Sequence, residues 1–170
     1  AAPDGLWAYT PYEMRNVLSY VYLNQPKDAN ELLTSLMNHR RPKGWQEFAE
    51  VVHSRLRHPG YLGDMPHTWI GSEYVRTIFG MLMHEAEDHL DLLPGAPPEW
   101  LQADGLSVTD LWTAHGRLTM TAQQNGAVLR IGLGAGLTPG IPVRVLWPSR
   151  TRPSKVWVDG VPHNDQTAND

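Results

Sequence analysis

The chain has 170 residues, of which 41% are hydrophobic and 19% charged, and its net charge is −4. That apolar share can fill the core of one ordinary domain or two small ones. No basic run is long enough to track a phosphate backbone and no apolar run is long enough to span a bilayer. With no cysteine present, disulfides, thiolate metal sites and cysteine nucleophiles are excluded. The expected partners therefore include neither nucleic acid nor membrane. The compartment stays open, with a secreted or periplasmic location favoured. The chain begins with Ala1 and carries no signal peptide, as expected of a processed chain or a piece of a longer one.

In chain order, Thr10-Pro11-Tyr12-Glu13 is a helix start, with Thr10 as N-cap and Glu13 completing a capping box. The helix should run to about Leu23, with Met14, Val17, Leu18 and Val21 on one face. Gln25-Pro26 stops it. A second helix is expected from about Asp28 to Asn38, with a stripe of Leu32, Leu33, Leu36 and Met37. The short link between them predicts an antiparallel helical hairpin. His39 to Gly44 reads as loop. Trp45 to Leu56 reads as a helix, with Phe48, Val51, Val52 and Leu56 at helical spacing. Arg57 to Pro66 is loop again. A further helix is predicted from Thr68 to about His84, with Ile70, Tyr74, Ile78, Met81 and Leu82 sharing a face. Leu90 to Ala96 is a short extended piece, and Pro97-Pro98 turns the chain.

From Gly105 the period changes to two. Leu106 and Val108 alternate with polar residues, as do Leu118, Met120 and Ala122. Asn125-Gly126 signals a hairpin into Leu129, Ile131 and Leu133. Val143, Val145 and Trp147 form another strand, followed by Val156 and Val158. After Asp159-Gly160 a return strand is due, but His163 to Asp170 is short of strand formers, so the sheet is expected to end one strand early. The fold class is α+β: a helical segment over residues 1–93 and an antiparallel β-sandwich over 94–170.

The chemistry-bearing candidates sit in the helical half. Glu47 and Glu50 follow Trp45, and two carboxylates three apart share a helix face. Glycoside hydrolysis needs such acids, one to protonate the leaving oxygen and one to activate water or attack the sugar. An aromatic beside them can stack on the ring. Asp64, His67 and Trp69 place an acid, an imidazole and an indole at the mouth of a helix. The competing reading is local capping by Asp64, a carbonyl partner for His67 and plain packing by Trp69. Neither HExxH nor an acidic calcium-loop spacing occurs, so no metal and no other cofactor is expected. Gly132 to Gly136 fits no phosphate loop and reads as a bend between strands.

The runs GWQEFAEVV, PGYLGDMPHTWIGSEYVRTIFGMLMHE and LLPGAPPEWL resemble the end of bacterial six-hairpin, (α/α)6-barrel glycoside hydrolases related to α-L-rhamnosidases. In that family the last barrel hairpins lead into a C-terminal antiparallel β-sandwich. LSVTDLWTAHGRLTMTAQQNGAVLRIGL resembles its opening strands, and VWVDGVP its final hairpin without the return strand. The resemblance implies inverting hydrolysis by two barrel carboxylates, the general acid lying upstream of this chain. It implies a general base directly after a Trp. Here Gln46 follows Trp45 and the first carboxylate is Glu47, with Glu50 as runner-up. It also implies a sugar-lining His at His67. Trp45, Asp64, His67 and Trp69 are the substrate-binding candidates. A full barrel needs about twelve helices, so the implied function is the C-terminal portion of a glycosidase, not catalytic alone. Its partners would be carbohydrate and either an upstream barrel segment or a second copy covering a bare helix face. The alternative is a free-standing carbohydrate-binding or structural interaction module.

Overall fold

The computed structural model describes residues 7–40, 44–55, 63–146 and 153–163. It is mixed α+β, with helices first and mostly antiparallel strands after.

A short strand, β1 (Trp7–Tyr9), leads directly into helix α1 (Thr10–Tyr22). Pro11 lies in its first turn, where a missing N–H costs nothing. The N-cap is Tyr9, without a side-chain cap bond, so the capping box expected from Thr10 and Glu13 does not form. Thr10 instead turns inward, and its hydroxyl donates to the Ala49 carbonyl at 2.6 Å. Asn24, at φ 55°, reverses the chain between α1 and helix α2 (Pro26–Asn38). The second helix starts at Pro26, two residues before the expected Asp28 cap.

The expected helix over Trp45 to Leu56 is not there. Residues 47–49 lack regular structure, and Val51–His53 form strand β2, which pairs antiparallel with β1 through Trp7–His53, Ala8–Val52 and Tyr9–Val51. All three β2 residues are buried. The β-branched pair Val51-Val52 explains the outcome: it fits a pleated, buried strand better than a helix turn. Leu56 lies outside the described residues.

Helix α3 (Thr68–Leu82) follows as expected, ending two residues before His84 because Met83–Glu85 leave it as strand β3. The three helices share one core of Met14, Val17, Leu18 and Val21 from α1, Ala29, Leu33 and Leu36 from α2, and Ile70 and Met81 from α3. The sequence-predicted faces of α1 and α3 are the ones that meet there. Gly80 allows the close approach of α1 and α3, since a Cβ at that position would run into Leu18 Cδ1. The outward residues of α2 are polar (Lys27, Asp28, Glu31, Thr34, Ser35 and Asn38), whereas α3 leaves Val75 and Phe79 50% and 43% exposed.

The β half begins earlier than residue 94. Strands β3 and β4 (Leu90–Leu92) pair antiparallel, and β4 pairs parallel with β8 (Val143–Val145). That parallel pair departs from the all-antiparallel expectation; it closes a long connection that contains the other sheet. After a 3-10 turn (Pro98–Leu101), β5 (Leu106–Thr113), β6 (Gly116–Asn125) and β7 (Val128–Leu133) form an antiparallel meander. Gly126, at φ 58°, opens the two-residue turn between β6 and β7. The two sheets share a second core, with Leu90 and Leu92 of one against Leu118, Met120 and Ala122 of the other. Trp100 packs against both cores and so sits at the seam.

The missing return strand is present. β9 (Val156–Val158) pairs with β10 (Val161–His163) across Asp159-Gly160, both at positive φ. Val161 and His163 suffice for a three-residue partner, which the polar residues beyond had obscured. Trp147, expected in β8, lies outside the described residues.

Candidate functional site

Three of the six candidate residues converge. Glu50, Asp64 and His67 bring one ligand atom each to within 4.8 Å of one another. The backbone sets this up. Glu50 immediately precedes β2 and donates its N–H to the Asp64 carbonyl at 3.1 Å. His67 donates its N–H to the Phe48 carbonyl at 3.1 Å. The 63–67 loop, which includes a cis Met65–Pro66 bond, is thereby laced along residues 48–50. Asp64 N–H also reaches Glu50 Oε2 at 3.4 Å. Gly63, at φ 68°, lies so close to Glu50 that an added Cβ would overlap its Cβ and Oε2. The glycine therefore fixes where the Glu50 carboxylate can stand.

Asp64 is exposed, while Glu50 and His67 are half-buried. His67 Nδ1 is shut off from solvent and has no hydrogen-bond partner among the described residues. His67 is the N-cap residue of α3, but its side chain makes no cap bond. Local capping and a carbonyl partner, the competing reading of Asp64 and His67, thus do not account for these side chains.

Trp69 stands beside the cluster, its ring 6.1 Å from that of His67. It is tightly held. Its indole N–H donates to Glu73 Oε1 at 3.1 Å, and Arg15 Nε donates to the same oxygen at 2.6 Å. The Arg15 guanidinium lies 4.9 Å from the Trp69 ring centre. Burial raises the Glu73 pKa, but the hydrogen bonds from Arg15 and Trp69 and the Arg15 charge outweigh it and hold the carboxyl below its usual range. Glu73 is therefore an ionised anchor that orients Trp69.

The rings continue outward. Tyr12 meets Trp69 edge to face at 5.2 Å, and Tyr9 meets Tyr12 at 6.2 Å. Tyr9 and Tyr12 are 48% and 53% exposed. They form an aromatic ledge running from the cluster across the start of α1. Sequence reasoning missed both, along with Arg15 and Glu73. The signal available was the spacing of Tyr9 and Tyr12 about a helix start.

Trp45 and Glu47 are not drawn in. Trp45 is 59% exposed. Glu47 has no hydrogen bond or ion pair among the described residues, and without a helix it no longer shares a face with Glu50. The two carboxylates that do meet are Glu50 and Asp64, with one oxygen of each within 4.8 Å of the other.

No protein-family model matches the chain, and neither does any curated protein or solved structure.

Proposed function

We propose that this chain is a carbohydrate-handling module, the C-terminal portion of a six-hairpin type glycoside hydrolase. In this reading the helices are the last part of an (α/α)6 toroid and the two sheets are the β-sandwich that follows it. The chain contributes a sugar-binding surface and leaves the acid–base pair to be completed by an upstream barrel.

The observation that carries the reading is the Tyr9–Tyr12 ledge ending at Trp69 and the Glu50, Asp64 and His67 side chains. Flat exposed rings offer stacking area to the C–H face of a pyranose at low conformational cost, and carboxylates next to them accept hydrogen bonds from its hydroxyls. Saturable binding of L-rhamnosides or other pyranosides, followed by ligand-observed NMR, tests it. Tyr12→Ala should abolish that binding while the fold persists. A chain that binds no pyranoside would refute the reading.

A second reading, a free-standing carbohydrate-binding or interaction module, draws support from the polar outer face of α2. The first reading draws support from the large apolar side chains that the helical layer leaves exposed among the described residues, Tyr12, Tyr22, Leu23, Val75 and Phe79, which a barrel or a second copy would cover. Hydrolysis that arises only when an upstream helical polypeptide is added favours the first reading. Binding without turnover in every context favours the second.

A further inference from the structure

We propose that Glu50, Asp64 and His67 form a binding site for a first-row divalent transition ion of the zinc class. The inference is independent of any sugar, and its test contains none.

Three donor atoms of the right kinds lie within 4.8 Å of one another. Ligands held at about 2.0–2.2 Å by one ion are at most about 4.4 Å apart, so small torsions of the Asp64 and Glu50 side chains complete the set. The remaining facts fit a cation better than an ordinary polar patch. No Lys or Arg pairs with Asp64 among the described residues, so its charge is open to a cation. Among the described residues His67 Nδ1 is shut off from solvent without a hydrogen-bond partner, so at that nitrogen no hydrogen bond competes with a ligand. Gly63 and the Glu50–Asp64 and His67–Phe48 backbone bonds fix the loop before any ion arrives, which lowers the ordering cost of binding. The imidazole favours zinc, like copper, iron and nickel, over calcium and magnesium, which prefer all-oxygen sites. Three protein donors with exposed Asp64 leave room for water at the other positions.

The chain stripped with chelator and dialysed against Zn2+ alone should take up one ion with a specific affinity. Asp64→Asn and His67→Gln should each weaken that affinity by at least the roughly 100-fold at the upper end of outer-shell effects. Glu50→Gln should do the same if either of those variants loses its helical circular dichroism. His163→Gln, on the exposed strand β10, should bind as the parent does. Uptake of no zinc, or unchanged uptake in folded Asp64→Asn and His67→Gln, would overturn the proposal. So would an equal loss in His163→Gln, or displacement of zinc by equimolar Ca2+.

Discussion

Asp91 is a carboxylate 6% exposed at the centre of a charge network, and removing its most exposed partner should cost more than removing Asp91 itself. Arg144 reaches it with two hydrogen bonds, Nε to Oδ1 at 2.7 Å and Nη2 to Oδ2 at 3.1 Å. These bonds join β8 to β4, where Asp91 and Arg144 are register partners. His84 and His89 each place a ring nitrogen 3.5 Å from the carboxylate. Burial raises the Asp91 pKa, but the Arg144 hydrogen bonds and charge, aided by both histidines, overcome it and leave the pKa low. Arg144→Ala strands the buried charge. Breaking a fully buried pair costs about 3–5 kcal/mol, and the 42% exposure of the Arg144 side chain together with the remaining histidines brings this to about 2–4 kcal/mol. Asp91→Ala removes the charge instead, and Arg144 and His84 can turn to water, so the cost should be about 1–2 kcal/mol. Urea unfolding at pH 7 measures both. The acid side gives a second readout. A depressed carboxyl pKa stabilises the fold above the ordinary value of about 3.9, and that stability is lost as pH falls through the lower folded value. Asp91→Asn should flatten the decline of stability below about pH 4. An Asp91→Ala cost equal to or above that of Arg144→Ala would refute the reasoning, because the network would then be held by packing rather than by charge.

Thr10→Val should lower stability by about 1–2 kcal/mol, since it deprives the buried Ala49 carbonyl of a 2.6 Å hydrogen bond, and thermal unfolding reads this directly. Trp100→Ala should cost about 3 kcal/mol, the low end for a large aromatic because the residue is only half-buried, and should leave sugar affinity intact; lost affinity without lost stability would move Trp100 from the seam to a ligand site. Glu47→Gln should leave sugar affinity unchanged, because Glu47 stands apart from the cluster. Loss of turnover with preserved affinity in a chain joined to its upstream barrel would restore Glu47 as the general base. Glu73→Gln should loosen Trp69 and reduce sugar affinity less than Tyr12→Ala does, measured by the same NMR titration.

Whatever repeats along the chain was legible in its sequence. Met14, Val17, Leu18 and Val21 meet Ile70 and Met81 in the helical core because a 3.6-residue period is a property of each helix alone. Leu118, Met120 and Ala122 point inward together because a two-residue period needs no knowledge of the partner strand. What escaped was set by long-range pairing. β2 spans three residues, all buried, so it shows no alternation, and over so short a run Val51-Val52 fits either period. Its identity as a strand depends on Trp7–Tyr9, more than forty positions away. β4 and β8 were legible as extended segments, but their parallel pairing across the chain was not, and β10 is recognisable only as the partner of β9.

The site shares this origin. On a helix, Glu47 and Glu50 would have been neighbours and Asp64 remote. Once Val51-Val52 becomes a strand, the segment before it extends, Glu47 drops out, and Glu50 meets Asp64 fourteen residues later through a backbone hydrogen bond. One local choice between helix and strand thus decides which carboxylates meet. The same strand ties the cluster to the ledge, since β1 hydrogen-bonds to β2 and carries Tyr9, and Thr10 bonds the Ala49 and Glu50 carbonyls. Ledge and cluster are therefore one mechanical unit held by β1–β2. A substitution that breaks that pairing should weaken sugar and metal binding together, whereas Tyr12→Ala should weaken sugar binding and leave metal uptake unchanged.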